Sequence, residues 1–508
     1  MTEFVADVII VGAGPCGLFV GCELAQTGVK VIILEKRSGP TLPRAGNLQP
    51  RVLEIFDCRG LAERVEARAR ELHSKPRASV GIWAGFPGVR YDVLETRFPY
   101  MLFLAQIETE NILAERFLQL GGEIRLQHEV TTVTQDHRGV HIGYIGPDGS
   151  HQTLGCRYAV GADGARSTVR DALGITCLDE PERHIAWGIH ARTTMPFDYP
   201  ITTVTNERGW SLVYPHSKEI TRFSVIDAQT TAQCNHEPTL EDMKAALRRI
   251  HGTDFGISEI VGIRSFGDAL RFADRMRSGR VFLVGDSVRT HYPASGVGLN
   301  FAFQDAFNLA WKLAAVVRGW GPEWLLDSYE AERRPEVEAH LEQVRIQTEI
   351  QFNYTPGMDA LKRFMQRLLA MPEVNHEIAS FLGGFSTKYS SAPGSPDIVG
   401  KRLADLPVID QQGNRERLFV LLRKQGFIYL HLSSDAPPDL SEFSDRVWIA
   451  RTNGASVASL KDLGAVLVRP DGHVAHRRRA RSGRAGNDRR WIVGRKRQTA
   501  GGDVGYGR

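Results

Sequence analysis

The sequence predicts an α/β fold: a mostly parallel sheet with flanking helices, an antiparallel sheet inserted into it, and a small strand-rich unit near the C-terminus. Three observations lead to this fold class. Short apolar runs that end in glycine-rich turns and continue as helices occur near the N-terminus, at residues 158–170 and at residues 281–313. Alternating apolar and polar residues fill the stretch between the last two. Short apolar runs return after residue 391.

The first segment has the spacing of a Rossmann-like dinucleotide-binding unit. A strand at residues 7–11 (DVIIV) leads into a GxGxxG turn and a helix, and a second strand at residues 29–34 ends at an acidic residue. The first glycine permits a tight turn, the second lets the backbone reach a pyrophosphate, and the third allows close helix-strand packing. The carboxylate, eighteen positions after the last glycine, suits a ribose diol. The predicted binding residues are Gly12, Gly14, Pro15, Cys16, Gly17 and Glu35.

The other two segments each place an acidic residue after a strand. In residues 158–170 (YAVGADGARSTVR) it is Asp163, and in residues 281–313 it is Asp286, whose carboxylate can accept from ribose hydroxyls. The small residues at 293–298 let a flat ring approach the backbone. Asn300 lies near the start of the next helix, whose free N–H groups suit the anionic edge of such a ring.

These three segments, in this order over about 300 residues, resemble the class A flavoprotein monooxygenases, the FAD-dependent aromatic hydroxylases of the para-hydroxybenzoate hydroxylase type. The resemblance covers residues 1 to about 477. It implies an FAD-binding, glutathione-reductase-type Rossmann-like domain with an inserted antiparallel substrate-binding sheet. The C-terminal unit resembles the thioredoxin-like domain of the subgroup that hydroxylates phenols and aromatic polyketides.

The same resemblance implies the reaction. FAD is held tightly but not covalently, NADPH or NADH reduces it, and oxygen then gives a C4a-hydroperoxide that passes one oxygen atom to a phenolic or polycyclic polyketide ring. The reacting face must exclude water and stray proton donors, and no metal takes part. Baeyer–Villiger insertion and epoxidation are alternatives. A flavin-dependent halogenase is another, although residues 187–190 (WGIH) do not match the WxWxIP segment of halogenases.

Further site residues follow from the resemblance. Arg44 matches an arginine that reaches the flavin and helps orient the nicotinamide, Gln106 a glutamine that contacts the flavin, and Val130 a position whose backbone meets the adenine. Pro293 and Gly296 match backbone that positions the flavin and its peroxide, so these two and Arg44 are the catalytic candidates. Asp163 and Asp286 are expected to anchor the cofactor, and the remaining expected cofactor contacts are Lys36, Val297, Gly298, Leu299 and Asn300.

The turn after Pro293 departs from the family pattern. Many relatives have Gly-Gly-Gln-Gly, whereas this chain has Ser295-Gly296-Val297-Gly298. The backbone donors are retained and a glutamine side chain is lost. FAD binding is therefore expected to persist, while the departure bears on how the peroxide and the substrate are positioned.

Residues 77–100 and 178–265 are predicted to form the substrate-binding sheet domain, with one helix at 241–250. Four aromatic residues on its strands are candidates for an aromatic-lined pocket: Trp187, Trp210, Tyr214 and Phe223. Helices follow to about residue 385, including one at 324–340 with a break at the ERRP of residues 332–335.

The FAD-binding domain is accordingly discontinuous, at residues 1–76, 101–177 and 266–390. Residues 391–477 form the C-terminal domain, with predicted strands at LFVLL (418–422), FIYLHL (427–432), RVWIA (446–450) and residues 464–475. It contains no cysteine, which excludes thiol exchange. A role in packing or dimerisation is predicted, in a monomer or homodimer.

Composition argues against nucleic-acid and membrane partners. The chain of 508 residues is 42% hydrophobic, and no apolar run approaches the ~18 residues of a membrane span, so a cytoplasmic location is predicted. The net charge of +4 arises from the last 33 residues, which hold eleven Lys or Arg, and residues 478–508 are interpreted as a basic, disordered tail. The six cysteines form no CxxC pair, so no zinc site is predicted. His216 and His291 are interpreted as structural.

Overall fold

The computed structural model describes residues 4–39, 46–194, 201–215, 219–229, 237–263, 265–452, 458–461 and 463–479. Its helices in chain order are α1 (Pro15–Gln26), α2 (Pro50–Asp57), α3 (Ala62–Leu72), α4 (Gln106–Gln119), α5 (Thr168–Ala172), α6 (Leu240–His251), α7 (Gly298–Val317), α8 (Trp324–Phe352), α9 (Pro356–Leu369), α10 (Pro372–Gly383) and α11 (Leu418–Leu422).

Its strands in chain order are β1 (Phe4–Val11), β2 (Val31–Glu35), β3 (Asn47–Leu48), β4 (Arg77–Ala78), β5 (Val80–Trp83), β6 (Phe86–Arg90), β7 (Met101–Phe103), β8 (Glu123–Leu126), β9 (Glu129–Gln135), β10 (Val140–Ile145), β11 (His151–Gly161), β12 (Cys177–Glu180), β13 (Ile185–Thr193), β14 (Thr202–Asn206), β15 (Gly209–Pro215), β16 (Thr221–Asp227), β17 (Ile257–Ile263), β18 (Phe266–Gly267), β19 (Leu270–Ala273), β20 (Arg277–Ser278), β21 (Val281–Leu283), β22 (Arg289–Thr290), β23 (Pro407–Asp410), β24 (Arg415–Arg417), β25 (Phe427–His431), β26 (Val447–Arg451), β27 (Leu463–Val468) and β28 (Val474–Arg479).

The first domain is built on a parallel sheet in the order β8-β2-β1-β11-β21. β20 lies antiparallel at one edge, β10 pairs antiparallel with β11, and β9 pairs antiparallel with β10. β2 is buried at every residue, as an apolar strand covered on both faces should be. Phe19 of α1 meets Phe303 of α7 edge to face, with ring centroids 5.5 Å apart. The three motif turns therefore lie at one carboxyl edge of the sheet.

The second domain is an antiparallel sheet in the order β14-β15-β16-β13-β17, with β18 beside β13. Its strands and α6 lie where the alternating pattern predicts them. α6 begins at a capping box formed by Thr239 and Asp242 and ends at Gly252, whose φ of +77° closes the helix. Met243 and Leu247 bury the apolar side of α6 against one face of the sheet, which leaves the other face toward the first domain.

Residues 77–100 do not add strands to that sheet. β4 pairs with β7, which also pairs with β3, and β5 and β6 form a separate hairpin. Ala84 and Gly85 at its tip both have positive φ, +49° and +84°, which is the geometry of a tight hairpin turn. Thr205 Oγ1 donates to Gly85 O at 3.0 Å, so the tip contacts the antiparallel sheet from outside its strand order.

α8 runs through Pro335 without interruption, so the break predicted there is wrong. Proline removes a backbone donor and crowds the preceding turn, but contacts on both sides hold this helix. Before the proline, Arg333 Nε donates to Asp305 at 2.8 Å, and after it Gln347 binds two other segments. No helix in the described ranges is both long and apolar enough to cross a membrane.

The C-terminal domain is a mixed sheet in the order β24-β23-β26-β25-β27-β28, in which β25 and β26 are parallel. The run LFVLL is helix α11, which corrects the predicted strand. Five consecutive apolar residues carry no periodicity that separates a strand from a helix. β28 continues to Arg479, beyond the predicted domain boundary at 477, and the predicted tail from residue 480 lies outside the described residues.

A buried ionic cluster, the docking cluster, joins this domain to α7 and α8. Glu332 accepts from Lys312 Nζ at 2.8 Å and from two nitrogens of Arg469 at 2.8 and 2.9 Å. Trp311 Nε1 donates to Asp471 at 3.0 Å. Burial opposes ionisation of Glu332, but Arg469 and Lys312 outweigh it and hold its pKa at about 2. Docking therefore depends on a carboxylate that acid would neutralise.

Candidate active site

The three glycines of the turn between β1 and α1 have different surroundings. A Cβ on Gly12, which has φ +105°, would collide with Ala162 O, and one on Gly17 would collide with Gly12 O. Beyond the chain neighbours of Gly14, no described atom lies within 4 Å of its Cβ position. Gly14 is also the N-cap of α1 and makes no side-chain cap. Open space and helix N–H groups thus coincide at Gly14, which fits a pyrophosphate.

Glu35 ends β2, and its carboxylate already has several donors. It accepts from Ala13 N–H at 2.8 Å, from the backbone N–H and Nε of Arg37 at 2.9 Å, and from Arg37 Nη2 at 3.0 Å. Burial raises the pKa of Glu35, but the bonds from Arg37 and Ala13 outweigh it and the pKa lies below its usual value. A carboxylate has about four acceptor positions. A ribose diol that donates to Glu35 would therefore replace hydrogen bonds that Arg37 now makes. The neighbouring Lys36 is exposed.

The ends of β11 and β21 are tied together by Ser287, a residue that the motifs did not single out. Its Oγ lies 2.7 Å from Gly161 O and 2.8 Å from Val284 O, and it accepts from Val284 N–H at 3.1 Å. The side chain is fully buried. A serine directly after a strand-ending aspartate was the available sequence signal, because such hydroxyls bond nearby backbone.

The two motif aspartates occupy different environments. Asp163 accepts from Ser167 Oγ at 2.5 Å and from Val169 N–H at 3.1 Å, so it stabilises the start of α5. Burial raises its pKa. Asp286 is exposed in the turn that follows β21, where Gly285 packs on the first turn of α1. Of the two carboxylates, that of Asp286 is the more accessible to a ribose or ribityl hydroxyl.

The turn at residues 293–298 contains two consecutive left-handed residues, Ser295 with φ +52° and Gly296 with φ +66°. Pro293 is exposed at its start, and Val297, at the position of the lost glutamine, is fully buried. A Cβ on Gly296 would lie 2.7 Å from Asn47 Nδ2. The turn therefore presents backbone on one side and touches β3 on the other.

Asn300 lies in the first turn of α7, as predicted, and its side chain is committed to protein contacts. Its Oδ1 accepts from Gln49 N–H at 2.7 Å, while Nδ2 lies 3.3 Å from both Gly296 O and Asn47 Oδ1. The residue is only 2% exposed. Asn300 can therefore contact a cofactor only through its backbone atoms.

Two neutral histidines fill the space behind this turn. His291 Nδ1 donates to Tyr292 O at 2.7 Å, so its Nε2 must accept from His340 Nε2–H at 3.0 Å. Burial lowers the pKa of His291 to about 4 and that of His340 well below its usual value. A Cβ on Gly298 would lie 3.1 Å from the His291 ring, which explains the glycine at the start of α7.

The remaining predicted cofactor residues are spread along the same edge. Gln106 is the first residue of α4, and its Nε2 donates to Glu110 at 2.7 Å. Val130 is buried in β9, and Leu299 packs on the main core. Arg44, a catalytic candidate, lies outside the described residues.

The antiparallel sheet separates the four predicted substrate aromatics into two pairs. Trp187 and Phe223 point to the face covered by α6 and are buried in that core. Trp210 and Tyr214 point to the opposite face, where Trp210 shares a cluster with Tyr292 and with Ala294 of the turn at residues 293–298. Because neighbouring side chains on a strand alternate between faces, the placement of Trp187 and Phe223 does not support their predicted pocket role.

Tyr214 connects the sheet to the turn at 293–298. Its ring stacks on Phe103 with centroids 6.2 Å apart, and a Cβ on Gly46 would lie 3.2 Å from the same ring. The next residue along, Asn47, contacts Asn300 and lies against Gly296. The face that carries Tyr214 therefore adjoins the carboxyl edge at which the three motifs meet.

Three features together define an FAD-type dinucleotide-binding protein. They are a parallel sheet with an open phosphate turn, an acid at the end of its second strand, and a third motif at the same edge. Gly14, the uncapped start of α1 and the exposed Asp286 fit the pyrophosphate and hydroxyl groups of FAD. The FAD binding domain family matches residues 5–344, and the aromatic-ring hydroxylase C-terminal family matches residues 397–492.

Curated relatives extend over nearly the whole chain. The 12-dehydrotetracycline 5-monooxygenase/anhydrotetracycline 6-monooxygenase of Streptomyces rimosus is 35% identical over 92% of this chain and 94% of its own length. The rifampicin monooxygenase of Streptomyces venezuelae is 36% identical over 92% and 94%, and the dialkyldecalin synthase of Streptomyces rugosporus is 31% identical over 92% and 95%. The solved structure of the OxyS anhydrotetracycline hydroxylase from Streptomyces rimosus superposes with a TM-score of 0.83 at 35% identity, covering 95% of this chain and 97% of that one.

The chain therefore belongs to the FAD-binding aromatic-ring hydroxylases, and it is a flavoprotein monooxygenase. The family, the FAD-binding domain and the enzyme class predicted from the three motifs are confirmed. The C-terminal family match continues to residue 492, fifteen residues past the predicted limit of the resemblance at 477.

Proposed function

We propose that this enzyme uses NADPH or NADH to reduce FAD and hydroxylates a polycyclic aromatic substrate of polyketide type. The observation that carries the proposal is the inward face of the antiparallel sheet, where Trp210 and Tyr214 face the edge that holds the three motifs. Bound FAD supplies the oxygen chemistry. The chain supplies position, electrostatics and exclusion of water.

The cofactor-binding roles follow from where each group lies. Gly14 and the N–H groups of α1 hold the pyrophosphate, while Glu35 and Asp286 accept from ribose and ribityl hydroxyls. The backbone of residues 293–300, which includes the turn at 293–298 (the flavin-side turn), supports the flavin ring, because the small residues of this turn lead into the start of α7, which has no side-chain cap. Gln106 and Val130 lie on the same edge of the sheet and complete the proposed cofactor site.

Polar groups on the inward face suit a phenolic substrate. Arg222 is the register partner of both Tyr214 and His190, so these three side chains lie side by side on β15, β16 and β13. Arg222 and His190 are largely buried, and the Arg222 guanidinium lies 6.0 Å from the Phe266 ring centroid. Burial raises the pKa of Tyr214, and Arg222 offsets part of this effect, so Tyr214 is a neutral donor. A guanidinium and a phenol can hold a substrate oxygen while the ring faces the turn.

The C-terminal domain is proposed to be thioredoxin-like and to act in packing. The mixed sheet with parallel β25 and β26, the absence of cysteine from residues 391–477 and the docking cluster support this role. A cytoplasmic location and a monomeric or homodimeric state, both predicted from the sequence, are consistent with an enzyme that consumes NAD(P)H.

The reaction is tested with purified, FAD-loaded enzyme, a panel of polycyclic phenols and ¹⁸O₂. Ring hydroxylation predicts NAD(P)H-dependent product with one labelled oxygen on the ring, and separate assays with NADPH and NADH identify the reductant. A labelled lactone or epoxide would instead assign Baeyer–Villiger or epoxidising activity, and a halogenated product would assign a halogenase. Conversion of a substrate that needs neither NAD(P)H nor oxygen, and that leaves no ¹⁸O in the product, would indicate a reaction of the synthase type named for one relative. NAD(P)H oxidation only to hydrogen peroxide, with every aromatic tested, would refute the monooxygenase proposal.

The two faces of the sheet provide a matched pair of variants. Trp210→Phe on the inward face is expected to raise KM for an accepted substrate and, because Trp210 is also buried in a cluster, to lower the melting temperature. Trp187→Phe on the α6 face is expected to lower the melting temperature and leave KM unchanged, because it removes packing volume from a core. Equal effects on KM in both variants would show that the inward face is not the substrate face.

A further inference from the structure

Gln347 of α8 binds the turn at residues 293–298 although it lies 52 positions after Ser295. Its Oε1 accepts from Ser295 Oγ at 2.5 Å and from Ala84 N–H at 3.1 Å. The residue is completely buried, and its Nε2 donates to no acceptor within the described residues. No motif leads to this residue, because it stands in the middle of a long helix.

These contacts fix the direction of the Ser295 hydroxyl. Ala84 N–H can only donate, so the oxygen of Gln347, and not its nitrogen, must face Ala84. The same oxygen lies next to Ser295 Oγ, and two acceptors cannot bond to each other. The hydroxyl hydrogen of Ser295 therefore points toward α8, and Ser295 offers only lone pairs to any other neighbour.

The same carboxamide holds two residues in the left-handed conformation that side chains other than glycine rarely adopt. Ser295 has φ +52° and Ala84 has φ +49°, and they belong to different segments, the turn at 293–298 and the β5–β6 hairpin. A glycine at the position of Ser295 would have neither the strain nor the hydroxyl. In this chain a serine at that position needs both its backbone and its proton restrained.

We propose that Gln347 is a positioning residue that fixes the flavin-side turn and keeps the Ser295 proton away from the reacting oxygen. The proposal rests on the proposed function in one respect, namely that the turn at 293–298 supports the flavin ring. In uncoupled turnover, NAD(P)H, a proton and O₂ give NAD(P)⁺ and hydrogen peroxide, so no oxygen atom reaches the substrate. A hydroxyl that donates to Gln347 cannot deliver a proton for that loss.

Gln343 is the matched control. It lies one helical turn earlier on α8, and its Oε1 accepts from Trp83 Nε1 at 3.4 Å, so it holds the same β5–β6 hairpin. No hydrogen bond joins Gln343 to residues 293–298 among the described contacts. Gln343→Leu therefore perturbs the helix and the hairpin without releasing Ser295.

The test compares wild type, Gln347→Leu, Gln343→Leu and the double variant Gln347→Leu/Ser295→Gly. Gln347→Leu is expected to keep FAD affinity within about threefold, to alter the visible absorption band of the resting flavin, and to raise the fraction of NAD(P)H recovered as hydrogen peroxide severalfold. Gln343→Leu retains the Ser295 contact, so it should resemble wild type. The double variant, which has no hydroxyl and tolerates positive φ, should return to the wild-type peroxide fraction.

A Gln347→Leu enzyme with an unchanged flavin spectrum and peroxide fraction would overturn the proposal, as would a double variant that stays uncoupled. If Gln347→Leu fails to fold, Ser295→Gly alone decides: it should match wild type in coupling, and a rise in hydrogen peroxide would overturn the proposal. Failure of the proposed function is distinguishable, because it appears as the lack of oxygenated product in wild type. The resting flavin spectrum reports on the turn without any substrate.

Discussion

Gly14→Ala tests the phosphate turn most directly, because the structure separates folding from cofactor binding at this position. Gly14 has φ −75° and ψ 176°, which alanine adopts freely, and beyond its chain neighbours no described atom lies within 4 Å of a new Cβ. The entropy gain of about 0.4–1 kcal/mol on replacing glycine roughly offsets the poorer N-cap. The unfolding free energy of the apoprotein should therefore change by less than about 1 kcal/mol.

FAD affinity should fall in the same variant, because the Cβ occupies the space where the pyrophosphate approaches the backbone. Loss of one charge-assisted hydrogen bond costs about 1.5–3 kcal/mol, which corresponds to a roughly 10- to 150-fold increase in Kd. Flavin fluorescence titration of the apoprotein measures Kd, and chemical denaturation measures stability. Gly357→Ala is the control, since Gly357 also lies in open space in the first turn of a helix, α9, away from the motif edge. Unchanged FAD affinity in Gly14→Ala would refute the phosphate assignment.

Three further predictions concern other parts of the site and fold. Glu35→Ala and Asp286→Ala should each weaken FAD binding by about 1.5–3 kcal/mol, and unchanged titrations for both would mean that the cofactor is wrongly placed. Ser287→Ala should lower the unfolding free energy by about 0.5–1.5 kcal/mol, because the buried Ser287 hydroxyl no longer donates to Gly161 O or Val284 O, while Val284 N–H keeps Gly161 O as an acceptor; equal denaturation midpoints would contradict this. The pKa of Glu332 is about 2 in the folded protein and 4.5 in the unfolded chain. The ionised carboxylate therefore stabilises the fold fully above pH 4.5. This stabilisation, on the order of 3 kcal/mol, is lost as the pH falls toward 2. Unfolding curves at pH 7 and pH 4 should therefore differ more in wild type than in Glu332→Gln.

Local chemistry made the first domain predictable. A continuous apolar strand, a glycine whose Cβ would collide with its neighbour and an acid at the end of the next strand are all encoded within 35 residues. Thr239 and Gly252 likewise mark the ends of α6 in the sequence itself. Such features can be predicted from the sequence because the groups that interact are close together in the chain.

Signals that depend on distant partners were missed or misread. Alternation placed Trp187 and Trp210 on strands, but only the position of α6 decides which face is core. LFVLL carries no period, and Pro335 reads as a helix break until the contacts of α8 are known. Gln347 and Asn47 act on a turn far along the chain, so their roles follow from tertiary structure alone.

The flavin-side turn is held by three anchors that act on different groups, and this division predicts how variants at each will fail. Asn300 satisfies the buried Gln49 N–H, so its loss should first reduce stability. Gln347 restrains the strained residue Ser295, so its loss should first reduce coupling. The inward face belongs to the other domain: its Tyr214 contacts Gly46 and Phe103, and its Trp210 shares a cluster with Ala294 of the turn. Because the cofactor seat and the substrate face are built by separate segments, substitutions on β15 and β16 can change which ring is accepted while FAD binding stays intact.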